Sequence, residues 1–201
     1  MKARARVLLS GAGILALAGG FLVAGSSGAG DDKNDVRDAV QKVADAIQKG
    51  DADQAKMLAG EVAKDGELEA VMYLMKKRDA KGKAKGYFGL GKTPGAIQPD
   101  GIEPKLLNIS KRLTQPQVDK EAEALAEMGY RIAAIAEIAK VKPNDKAAKK
   151  KQEWAQYAEE MGKAGTELAD AAKEKKAAAV KAAAAKAVGA CNNCHGSFRD
   201  D

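Results

Sequence analysis

Residues 177–199 read AAAVKAAAAKAVGACNNCHGSFR, and the decisive part is Cys191-Asn192-Asn193-Cys194-His195. The pattern C-x-x-C-H is the attachment signature of a c-type haem. Two thiols add across the haem vinyl groups, and the neighbouring imidazole takes the iron from the proximal side. On a helix, residues three and four apart share a face, so Cys191, Cys194 and His195 can address one flat macrocycle. These are the only two cysteines and the only histidine in 201 residues. Three other chemistries compete. A redox C-x-x-C belongs after a strand in a βαβ unit, whereas an alanine-rich helical stretch precedes Cys191. A structural zinc site needs four ligands and this cluster offers three. A disulfide suits an oxidising compartment but gives His195 no task. One covalent haem c is the expected cofactor.

Working outward, the N-terminus supplies an address. Lys2, Arg4 and Arg6 precede an apolar run from Val7 to Val23, and the small residues AGSSGAG follow. That order is the secretory signal's, so residues 1–30 are expected to be a signal peptide, cut after Gly25 or near Gly30. The alternative is an uncleaved anchor, the run being close to the span of about 20 residues that a bilayer requires. Periplasmic or other bacterial export agrees with haem attachment outside the cytoplasm. Residues 31–201 then form one domain, long enough to bury a core. The 34 Lys+Arg against 28 Asp+Glu give +6; without Lys2, Arg4 and Arg6 the balance is 31 against 28, or +3. Aromatics are few and lysines alternate with acids as on solvated helix faces, so no nucleic-acid partner is expected. The densest basic run, Lys146 and Lys149–Lys151, fits a solvated helix start.

Helical periodicity runs through most of the chain. Val36, Val40, Val43 and Ile47 step by 4, 3, 4, a single buried stripe. Gly50 ends that helix and Asp51 is a fitting N-cap for the next. The stretch 52–78 is helical with a break near Asp65-Gly66; Leu68, Val71, Met72 and Met75 line one side of its second half. From 117 to 141, Leu125, Met128, Ile132, Ile135 and Ala139 step by 3, 4, 3, 4. From 146 to 173 the seam is Trp154, Tyr157, Met161, Ala164, Leu168 and Ala171, as in an antiparallel bundle. The last helix, about 174–198, has an alanine seam that leaves room for neighbouring helices or a flat cofactor.

Residues 80–113 stand apart. Glycines at 82, 86, 89, 91, 95 and 101 and prolines at 94 and 104 leave little periodicity, which predicts a long loop. Gly86–Thr93 matches the phosphate-binding pattern G-x-x-x-x-G-K-[ST]. That chemistry needs a buried strand before the glycines and a helix opening at the Lys-Thr. KKRDAKGKAK precedes here and Pro94 follows Thr93, so a surface loop is expected. Tyr87, Phe88, Leu90 and Ile97 are candidates to cover a haem edge, and Lys81, Lys83, Lys85 or Lys92 to meet a propionate.

The ending CNNCHGSFRDD resembles the cytochrome c prime (class II cytochrome c) family, whose chains close on C-x-x-C-H-x-x-[FY]-[RK] at the end of the last bundle helix. The resemblance runs from about Trp154 to Arg199. It implies an all-α four-helix bundle, here with an extra N-terminal helix and the long Gly/Pro loop. It makes Cys191 and Cys194 the thioether links, His195 the proximal iron ligand and Arg199 a cation that sets haem electrostatics. It also implies homodimerisation through the first helices; Val36, Val40 and Val43 suit that or the core. In low-spin members a methionine on the first bundle helix caps the iron and the protein carries electrons; in high-spin members the distal site is open to NO or CO. Met72 is the first distal candidate and Met75 the second, because Met128 and Met161 fall on core stripes. The expected function is single-electron transfer with redox partner proteins, the alternative being gas binding. With no second histidine and no acid pair apart from helix surface, enzymatic turnover is not expected.

Overall fold

The protein is described by a computed structural model over residues 32–78 and 86–199; the signal-peptide expectation for residues 1–30, and Lys81, Lys83 and Lys85, lie outside the described residues. Every regular element among the described residues is helical. The organising pair is α5 (Gln115–Val141) and α6 (Lys151–Lys173). Thr114 and Gln117 form a capping box at the start of α5, with Pro116 in the first turn where a missing N–H costs nothing. At about 1.5 Å per residue, α5 is roughly 40 Å long. Gly129 and Gly165 bring the two backbones into contact: a Cβ on Gly129 would lie 2.5 Å from the Gly165 carbonyl oxygen, and one on Gly165 would lie 2.7 Å from that of Gly129. The sequence-predicted seam faces inward, with Trp154, Met161, Ala164, Leu168 and Ala171 buried and Tyr157 half-buried.

Helix α7 (Ala177–Phe198) packs on α6, with Val180, Ala183, Ala184, Ala187 and Ala190 buried. The fourth side is closed by α4 (Ile102–Lys111), which lies on α7 and is tied to α5 by the Lys105 Nζ–Glu121 ion pair at 2.6 Å. Helices α1 (Asp32–Gln48) and α2 (Ala52–Asp65) form a hairpin against α5. Gly50 turns it at φ +75°, a left-handed conformation that suits glycine, and Asp51 accepts from the Gln54 N–H at 3.0 Å. Val40 and Val43 are spent in the core and Val36 packs against it. The break near Gly66 appears where expected: α2 stops at Asp65, and the six-residue α3 (Leu68–Tyr73) follows.

The expected loop over 80–113 is corrected, because 102–111 is helix α4. Its stripe is Ile102, Lys105, Leu106 and Ile109, all buried. A lysine stands on the inward face, and Pro104 sits in the first turn, where a helix tolerates it; both obscured the period. The surface-loop expectation for Gly86–Thr93 is also corrected in part. Phe88, Gly89 and Leu90 are buried, and the segment is clasped rather than free. Arg78 donates to the Phe88, Leu90 and Gly91 carbonyls and to Asp100. Asp100, 2% exposed, accepts the Leu90 and Gly95 N–H groups at 2.6 and 2.8 Å. Phe88 lies under the Arg131 guanidinium at 4.5 Å, where the clasped segment meets α5, and Tyr87 lines a groove with α1, α2 and α3. These residues pack there rather than over the haem motif.

Candidate functional site: the end of helix α7

Alanines carry α7 along α6 until Cys191 changes the character of the face. Ala187, Ala190 and Phe198 are buried, Cys191 and Cys194 are half-buried, and Asn192, Asn193, His195 and Gly196 are exposed. The motif therefore straddles the rim of the bundle, thiols toward the core and imidazole toward solvent. Cys191 packs with the main core, as do Met72 and Met75. Cys194 packs against a second cluster of Ala139, Ala147, Trp154, Ala158 and Phe198, and so does Met72. Met72, on α3, thus comes to the end of α7, whereas Met75, just after α3, packs against the main core. Met128 is buried in the core, as expected of a packing residue.

The end of the helix is fastened on several sides. The Phe198 ring, 1% exposed, meets Trp154 edge-on at 5.2 Å and Tyr157 at 6.3 Å. The Trp154 indole N–H donates to the Ala139 carbonyl at 2.7 Å. At the C-terminus, Asn144 Nδ2 donates to the Phe198 carbonyl at 2.8 Å and Lys146 Nζ to that of Arg199 at 3.0 Å. These bonds satisfy carbonyls that have no partner inside the helix. The Ser197 hydroxyl donates to Glu153 at 3.1 Å, and the Tyr157 hydroxyl to the same carboxylate at 3.2 Å. Bonding from Lys150, then Ser197, holds the Glu153 carboxyl below its usual range. Sequence reading missed this clamp, because Asn144, Glu153 and Ser197 lie far apart in the chain and look like ordinary surface residues.

Burial dominates the electrostatics of the motif. It pushes the Cys191 thiol up to about 11, with Cys194 and Glu103 adding to the shift, and it raises the Cys194 thiol as well. Burial also lowers the His195 imidazole; Arg199 pushes it the same way and Glu103 opposes both. The two thiols are neutral and unbridged. Among the described residues no group of three His, Cys, Asp or Glu could hold a metal ion. The donor set fits a covalent haem: two free thiols three residues apart, an adjacent imidazole whose ring makes no hydrogen bond with the described residues, and apolar and thioether side chains beside them. Arg199, one turn beyond His195, acts electrostatically on that imidazole.

A family model described as cytochrome c′ matches residues 110–199, which is α5, α6, α7 and the last two residues of α4. The family is a four-helix bundle whose members hold haem c through two cysteines, here Cys191 and Cys194. Neither the curated proteins nor the solved structures that were compared contain a match. No helix among the described residues is long and apolar enough to cross a membrane.

Proposed function

We propose, from the match of residues 110–199 to the cytochrome c′ family model, that this chain is a c-type haem cytochrome, exported and carrying single electrons. The haem supplies the redox chemistry, and the chain supplies attachment, ligation and partial burial. Cys191 and Cys194 anchor the group, His195 binds the iron on one side, and Met72 binds it on the other, with Met75 as second choice. One observation carries the proposal: Met72 shares a packing cluster with Cys194. Thioether ligation raises a haem's potential and suits an electron carrier. Residues 1–30 act as the export signal, and N-terminal sequencing of the secreted protein would locate the cut between Gly25 and Gly30.

Met72→Ala is the direct test. The wild type is expected to show a sharp low-spin reduced spectrum and the methionine–iron band in its oxidised form, and the variant is expected to turn high-spin and bind CO. A low-spin spectrum that survives both Met72→Ala and Met75→Ala would remove α3 as the source of the ligand. A wild type that is already high-spin and binds CO readily would favour the gas-binding alternative. Covalent haem is common to both.

A further inference from the structure

Glu103 opens α4, before the first residue of the family match. Its position relative to the haem motif is set from the far end of the bundle. Gln115, at the start of α5, donates to the Lys175 carbonyl at 2.7 Å and accepts from the Ala177 N–H at 3.4 Å. The end of α4 and the start of α7 therefore lie together, and the two helices pack antiparallel. The first turn of α4 is therefore directed toward the half of α7 that ends in the motif. Three contacts fix that turn. The Glu103 N–H donates to the Met75 carbonyl at 2.9 Å. Gly101 crosses so close to the preceding chain that a Cβ would lie 2.7 Å from the Lys77 Cα. Lys105, fully buried, bonds the Gln98 carbonyl at 3.0 Å and Glu121.

The Glu103 side chain is exposed at this rim. Its backbone N–H is bonded to the carbonyl of Met75, three residues after Met72, and Met72 packs in the same cluster as Cys194, so the carboxylate stands on the side of the bundle that carries the motif. A negative charge near the proximal ligand favours the more positive, oxidised state of the centre; a cation favours the reduced state. We propose that Glu103, brought to the motif by α4, is a tuning residue that lowers the reduction potential of the iron bound at His195, in opposition to Arg199. This rests on the haem and His195 assignments above. The electron enters or leaves with no bond made or broken at Glu103, whose part is electrostatic.

The test compares Glu103→Gln, Glu103→Asp, Glu103→Lys and Arg199→Gln in the full haem-loaded chain by spectroelectrochemical titration. Glu103→Gln is expected to shift the equilibrium toward the reduced form by about three- to tenfold, tenfold being about 59 mV for one electron. Glu103→Lys should go further in that direction, Glu103→Asp should stay near wild type, and Arg199→Gln should move the opposite way. Salt should shrink every shift, because the charge is exposed. In the haem-free chain, Cys191 should alkylate faster at a given pH in Glu103→Gln than in wild type. Potentials of Glu103→Gln and Glu103→Lys equal to wild type, with unchanged spectra, would overturn the role of Glu103 alone. A wild-type chain lacking covalent haem would overturn the haem assignments themselves and this role with them.

Discussion

Burial at Cys191 costs nothing while the thiol stays protonated. With its titration pushed up to about 11 from an ordinary 9.0, the folded chain binds that proton more tightly than the unfolded chain. The raised value contributes stability that is fully present below about pH 9 and is lost as pH rises through about 11. The contribution is on the order of 2–3 kcal/mol, at 1.36 kcal/mol per unit. A thioether has no proton to lose. Denaturant midpoints measured from pH 8 to 11 should therefore fall more steeply for haem-free wild type than for haem-free Cys191→Ala. In the haem-loaded protein that extra fall should be absent. Equal slopes for haem-free wild type and Cys191→Ala would mean that the thiol is not held out of water. At this same scale the sequence was most informative. Cys191, Cys194 and His195 are the only residues of their kinds, so scarcity did the work of a structure. Glu103 could not be found that way, because one acid among 28 carries no mark until the fold brings it to the motif.

Among the elements, α4 depends most on a single interaction. Lys105 is fully buried and Glu121 nearly so, with 12% of its side chain exposed. Removing one partner of such a pair strands the other charge, which typically costs about 3–5 kcal/mol. Lys105→Met should lower the denaturant midpoint by that order, and Lys105→Met with Glu121→Leu should recover most of the loss. If the single variant were as stable as wild type, the pair would not be what holds α4 in place. The α5–α6 contact makes a separate demand. Gly129→Ala puts a methyl where the Gly165 carbonyl lies 2.5 Å away, so the helices must part, at about 1–3 kcal/mol for overpacking. Gly165→Ala added to it should cost less than it does alone, because the gap is already open; strict additivity in thermal melts would argue against a shared contact. The stripes of α5 and α6 were legible because apolar side chains mark them. The two glycines were not, since a close approach of backbones leaves no hydrophobic signature. α4 was hidden for a related reason: its stripe includes Lys105, whose charge is satisfied by Glu121 and the Gln98 carbonyl, partners outside the helix.

At the scale of the whole molecule, the chain joins a family-matched portion, residues 110–199, to a portion of its own. The matched helices carry Cys191, Cys194 and His195. The unmatched ones bring α1 and α2 against α5, clasp residues 86–100 with Arg78 and Asp100, bring Met72 to the rim of the haem motif, and bond Met75 to Glu103 at the start of α4. On the proposed reading, attachment and proximal ligation belong to the shared part, and the distal ligand and the tuning charge to the part outside the match. The four-helix expectation held because buried stripes and short joints survive translation into sequence. The expectation of a long loop failed because a clasped irregular segment and a short helix with an inward lysine both look polar and aperiodic. All of these assignments stand on one covalent fact, which mass spectrometry can read directly. Protein recovered from an export-competent bacterial host, extracted with acid and acetone and digested with trypsin, is expected to yield the peptide Ala187–Arg199 heavier by one haem. That added mass should be absent when both cysteines are changed to alanine. Recovery of the peptide with free thiols, or with Cys191 and Cys194 joined as a disulfide, would contradict the account.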